Sequence, residues 1–150
     1  MPQLRIAQDP AADELLGRDP LALVLGMLLD QQFPMERAFA SPRLLADRLG
    51  VDRLDAAALA TADPERLTKI FQGPPALHRY PGSMAGRTQE LCRLLVDRYD
   101  GRPEKLWADA RQAFKEGDKD RGYRACGEIV GKYYAASSYR YAKQVLEERR

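Results

Sequence analysis

Short polar residues followed by proline recur along the chain at the start of several stretches of helical periodicity. Asp19-Pro20, Ser41-Pro42 and Asp63-Pro64 each place a side chain that accepts hydrogen bonds from free helix N–H groups before a residue whose fixed φ suits the first turn. Pro103 opens a further stretch of the same kind. The apolar–polar alternation that half-buried strands require is nearly absent. The sequence therefore predicts an all-α fold, a compact bundle of roughly six to eight helices.

The apolar positions indicate which helices form the core. The run PLALVLGMLL predicts a buried helix that starts at Pro20 and reaches Gln32, and Pro34 can then start the next helix. Ser41 is expected to cap a separate helix that Gly50 ends, and Ser83 is expected to cap the longest amphipathic segment, residues 84–99. The expected core residues are Leu21, Leu25, Leu28, Leu91, Leu95 and Trp107.

Length and composition favour one soluble domain without a bound metal. A chain of 150 residues can bury a core of its own, and charged residues make up 31% of it. The longest uncharged apolar stretch, residues 20–29, is about half of the ~20 residues that a membrane span needs. The first ten residues lack the layout of a signal peptide, so a cytoplasmic protein without membrane contacts is expected. Two cysteines and one histidine are too few for a zinc site or an iron–sulfur cluster, and no metal or cofactor is expected.

Charge and residue usage change along the chain. Residues 1–75 hold 8 Lys and Arg against 11 Asp and Glu, a net charge of −3, whereas residues 76–150 hold 16 against 11, a net charge of +5. A basic second half is consistent with an anionic partner, although a mixed solvated surface gives similar counts. Lys69 is the only lysine before residue 101, and five of the seven tyrosines follow residue 120. We expect a single helical domain in which residues 115–150 form divergent C-terminal helices.

Two blocks of the sequence resemble a known family. LALVLGMLLDQQFPMERAF, from residue 21, and HRYPGSMAGRTQELCRLLVDRYDG, from residue 78, are similar in order and spacing to the helix–hairpin–helix DNA glycosylase superfamily. The similarity is closest to a small actinobacterial-type branch of base-excision-repair proteins, and it covers residues 19–109. It implies the helical domain of a DNA glycosylase, with double-stranded DNA as the partner.

The resemblance implies a DNA-facing role for the end of the first block. In that family the Gln-bearing junction faces the lesion, so Gln31 or Gln32 is expected to lie against DNA, where an amide both donates and accepts hydrogen bonds. The physical chemistry also allows a structural role, because amides at a helix end can satisfy free carbonyl groups. We expect Asp30 to be structural and Gln32 to be the glutamine that faces outward.

The start of the second block predicts a phosphate contact. Free N–H groups and the positive end of the dipole at a helix start suit a phosphate, Arg79 and Arg87 flank the turn, and His78 can add a hydrogen bond. The DNA-binding candidates are therefore Gln31, Gln32, His78, Arg79, Ser83 and Arg87. The alternative is an ordinary proline–glycine turn with solvated arginines.

The sequence departs from the family beyond the second block. The hallmark Leu-Pro-Gly-x-Gly hairpin is absent from RQAFKEGDKDRGYRACGEIVGK, and no aspartate follows Asp120. No catalytic residue can be assigned. Two functions remain open: a DNA N-glycosylase of base excision repair, or a catalytically inactive helical module that binds DNA weakly or contacts a protein partner through its C-terminal helices.

Overall fold

The computed structural model describes residues 6–30 and 32–117, and these residues form seven helices and no strand. The helices are α1 (Pro10–Arg18), α2 (Pro20–Leu29), α3 (Met35–Leu49), α4 (Ala56–Ala60), α5 (Pro64–Gln72), α6 (Pro81–Tyr99) and α7 (Pro103–Lys115). The all-α expectation is confirmed. The C-terminal helices expected after residue 117 lie outside the described residues. No helix in the described part is long and apolar enough to cross a membrane.

Aspartate caps set the starts of four of these helices. Asp9, Asp19, Asp55 and Asp63 each have extended backbone, and each side chain accepts a hydrogen bond from the N–H group two residues later. Pro10, Pro20 and Pro64 occupy the first helical position, where the missing N–H group costs nothing. The cap-and-proline pattern in the sequence is therefore confirmed at Asp19 and Asp63.

The bundle is built around α2, which is buried on every side. Residues 21–29 are all buried, and α2 packs against α1, α3, α6 and α7, while α6 also packs against α4 and α5. The expected core residues Leu21, Leu25, Leu28, Leu91 and Leu95 are all buried. The side chain of Trp107 lies outside the described part of the chain.

The expected helix start at Ser41-Pro42 is wrong, because α3 continues through Pro42 as one helix of 15 residues. Its buried face runs across the proline, with Ala38 and Phe39 before it and Leu45 and Ala46 after it. Burial of that continuous apolar face offsets the two costs of a proline inside a helix, which are a lost backbone hydrogen bond and a steric clash with the preceding turn. Gly50 ends α3 in the left-handed region, as expected.

Candidate nucleic-acid interface

The junction between α2 and α3 presents one glutamine to solvent. α2 ends at Leu29, before the expected Gln32, and the backbone N–H of Asp30 donates to the carbonyls of Gly26 and Met27 at 3.0 and 3.3 Å. The Asp30 backbone thus closes α2, and the structural role expected of its side chain stays a prediction. Gln32 has a φ of +53° and an exposed side chain, so the prediction that it faces outward is confirmed. Gln31 lies outside the described residues.

The loop before α6 contains a buried histidine. His78 is 2% exposed, and its Nδ1 accepts a hydrogen bond from the backbone N–H of Tyr80 at 3.0 Å. Its ring lies 4.9 Å from the ring of Phe33, measured between centroids. The sequence predicted a DNA contact for His78, but its ring is buried. It binds the backbone of Tyr80 instead.

A hydrogen bond joins the two sequence blocks across the surface. The hydroxyl of Tyr80 donates to Oε1 of Gln32 at 3.4 Å, although 48 residues separate them. The guanidinium of Arg37 lies 4.8 Å from the centroid of the Phe33 ring, and that of Arg79 lies 5.4 Å from the Tyr80 ring. These five residues, Gln32, Phe33, Arg37, Arg79 and Tyr80, are called the Tyr80 surface below.

Exposed aromatic and cationic groups give the Tyr80 surface its chemical character. The Tyr80 side chain is 45% exposed, and Arg37 and Arg79 are also exposed. An aromatic ring can stack on a base, and a guanidinium can both stack on a ring and bind a phosphate. One small surface therefore offers contacts for bases and for phosphates.

The first turn of α6 adjoins this surface. Tyr80 is the N-cap residue and makes no side-chain capping bond, while Pro81 is the first helical residue. The expected cap, Ser83, lies inside the first turn with its side chain exposed, because proline is favoured at the first helical position. The first-turn N–H groups of Gly82 and Ser83 precede the first intrahelical donor. Arg87 lies one turn further on and is half-buried.

Negative charge also lies at the junction. Partial burial raises the pKa of the Asp30 carboxyl group above its ordinary value, and the nearby charge of Glu36 raises that pKa further. A carboxylate beside the Tyr80 surface opposes the binding of a polyanion, so protonation of Asp30 favours such binding.

The sequence did not indicate Phe33 or Arg37 as site residues, and it placed Tyr80 in the candidate turn before α6 without assigning it a contact. Phe33 and Tyr80 are aromatic residues in polar connections, outside any helical apolar period, and that placement was the available signal. Arg37 is one of many helical arginines, and only its position over the Phe33 ring distinguishes it. Of the residues that the sequence did indicate, Arg79 immediately precedes Tyr80 and Ser83 follows it by three positions.

Other chemistry is sparse in the described part of the chain. No group of three His, Cys, Asp or Glu residues there could hold a metal ion. Cys92 is fully buried, and burial together with the charge of Asp55 raises the pKa of its thiol to about 12. A thiol in that environment stays protonated and is a poor nucleophile.

No family model matches this chain, and the searches of curated proteins and of solved structures also found no match. Its function therefore has to be inferred from the chemistry of the Tyr80 surface and of the helix start beside it.

Proposed function

We propose that the chain is a DNA-binding protein of base excision repair, and that it contacts double-stranded DNA through the Tyr80 surface. The observation that carries the proposal is the hydrogen bond between Gln32 and Tyr80. It brings together the two sequence blocks that resemble DNA glycosylases, and each block contributes an arginine held over an aromatic ring.

The contacts divide into two kinds under this proposal. Arg37, Arg79 and the first-turn N–H groups of α6 hold phosphates, which fixes the position of the duplex without reading its sequence. Tyr80 and Gln32 face the bases, where a ring stacks and an amide donates and accepts hydrogen bonds. The buried His78 holds the backbone of Tyr80 in place.

The proposal leaves two candidates that differ in whether the chain cleaves a glycosidic bond. A DNA N-glycosylase needs a carboxylate or an amine close to the sugar of the extruded nucleotide, and the resemblance assigns no residue of this chain to that role. The second candidate is a helical module that binds DNA or a protein partner without cleaving a glycosidic bond. The absence of the family's hairpin sequence and of an aspartate after Asp120 favours it. Abasic-site formation on duplexes with single damaged bases distinguishes the two.

Salt dependence of duplex binding tests the surface itself. Each phosphate neutralised by an arginine releases counterions, so the slope of log K against log salt should fall in magnitude by about 1 in Arg37→Ala and again in Arg79→Ala. Fluorescence anisotropy with a labelled duplex, from low to moderate salt, measures the slope.

The matched control is Arg93→Ala, since Arg93 is an exposed arginine three turns further along α6. It should leave the slope unchanged. An equal effect of all three substitutions indicates binding by net charge alone, and an affinity that does not depend on salt contradicts the phosphate contacts.

A further inference from the structure

Arg48, a residue of α3, binds the loop that runs from the end of α5 to Tyr80. Its Nη1 donates to the carbonyl of Ile70 at 2.7 Å, and its Nη2 donates to the carbonyl of Pro75 at 2.6 Å. Ile70 is in the last turn of α5, where carbonyls lack helical partners, and Pro75 is in the loop that follows. One guanidinium thus joins the end of α5 to the start of the loop.

Ser41 holds the same loop one step closer to Tyr80. Its hydroxyl lies 2.6 Å from the carbonyl of Leu77 and 2.9 Å from that of Arg37. The backbone N–H of Leu77 donates to the carbonyl of Phe71 at 2.8 Å, and the Leu77 side chain is fully buried. Leu77 is followed by the buried His78 and then by Arg79 and Tyr80.

We propose that Arg48 and Ser41 are positioning residues for the Tyr80 surface, an inference that rests on the proposed function. Neither belongs to the surface: Ser41 is buried, and both donors of the Arg48 fork bind backbone carbonyls. They fix the backbone of residues 75–77 on α3, so that Tyr80 is held beside Gln32 before DNA arrives. A surface ordered in advance loses less conformational entropy on binding, which increases its affinity.

The geometry of the fork makes lysine a poor replacement for Arg48. A guanidinium presents two N–H groups in a fixed plane, whereas an ammonium is a single compact group on a flexible stem. Arg48→Lys keeps the charge and should lose one of the two carbonyl contacts. Arg43→Ala is the matched control, because Arg43 lies on the same helix and pairs with Asp47 at the surface.

A double-mutant cycle tests whether Arg48 acts through Tyr80. Arg48→Ala should weaken duplex binding about threefold to tenfold, the scale of one ordered side chain, with an unchanged salt slope. In a Tyr80→Ala background the same substitution should weaken binding less, because only Arg79 is then left on the loop to be positioned. Equal weakening in both backgrounds overturns the inference, since Arg48 would then act on affinity independently of Tyr80.

Amide hydrogen exchange tests the positioning without DNA. Arg48→Ala and Arg48→Lys should speed exchange at the N–H groups of Leu77 and Tyr80, and protection within α2 should stay as in the wild type. Unchanged exchange at Leu77 and Tyr80 in Arg48→Lys overturns the inference even if Arg48→Ala fails to fold. A wild-type chain that binds no duplex at low salt contradicts the proposed function, and exchange still decides the positioning role.

Discussion

The carboxyl group of Asp30 shows how a single residue links stability to pH. Burial and the charge of Glu36 raise its pKa in the folded chain, so the folded state holds this proton more tightly than the unfolded state does. The charged form therefore costs stability at neutral pH. That cost declines as the pH falls through the raised pKa, and it is gone below the unfolded pKa of about 3.9.

Asp30→Asn should accordingly raise the free energy of unfolding at pH 7, and the gain should disappear near pH 3. Urea unfolding at a series of pH values measures the difference. Glu36→Gln is the companion variant and should give a smaller gain, because the charge of Glu36 is the lesser cause of the shift. A gain of the same size at pH 3 and at pH 7 contradicts this account.

Gln32 separates structural from DNA-reading roles at the same junction. Its side chain is exposed and its bond to the Tyr80 hydroxyl is long at 3.4 Å, so Gln32→Ala should leave stability within about 0.5 kcal/mol of the wild type. If the amide contacts bases, the substitution should reduce the preference for mismatched or damaged duplex over intact duplex. Competition binding measures that preference, and a variant with full preference rules out the role.

The close packing of helix α2 against helix α3 depends on one glycine, Gly26. A Cβ atom added at Gly26 would overlap the ring of Phe39, which is fully buried. Gly26→Ala gains up to about 1 kcal/mol of helix propensity, whereas overpacking costs roughly 1–3 kcal/mol. The net result should be destabilisation by about 1 kcal/mol, measured by thermal or urea unfolding.

Gly86→Ala is the matched control for that comparison. Gly86 lies within α6, and an added Cβ atom there meets no atom within 4 Å. The control should raise stability by about 0.5–1 kcal/mol, because only the propensity term applies. Equal effects of the two alanines in either direction contradict the role of Phe39.

Asp19 contributes to the stability of the whole molecule, because its side chain connects two distant parts of the chain. One carboxylate oxygen accepts from the N–H of Leu21 at the start of α2, and the other accepts from the N–H of Leu54, which precedes α4. Asp19 is buried, so its removal leaves two N–H groups unsatisfied. Asp19→Ala should lower the free energy of unfolding by about 2–4 kcal/mol.

Asp55→Ala tests whether that loss reflects more than a helix cap. Asp55 caps α4 with one exposed hydrogen bond to the N–H of Ala57. Its removal should cost about 1 kcal/mol. If chemical denaturation gives the two variants the same free energy of unfolding, the hydrogen bond between Asp19 and Leu54 adds nothing to the stability of the protein.

The sequence by itself determined the local features of the protein. Aspartate caps, prolines at the first helical position and an apolar period near 3.6 act within a few residues, so they predicted the all-α fold, the buried α2 and the outward Gln32. The same local rules failed at Ser41-Pro42 and at Ser83. At the first of these sites, a buried face that continues across the proline outweighed the cap signal.

Only the tertiary structure decided which residues form the surface. Tyr80 lies beside Gln32, 48 positions away in sequence, because α3 anchors the loop through Arg48 and Ser41. Burial of His78 likewise follows from packing against Phe33, since nothing in its own segment distinguishes an inner from an outer histidine. Contacts between distant segments depend on how the helices pack, and local sequence patterns do not specify that packing.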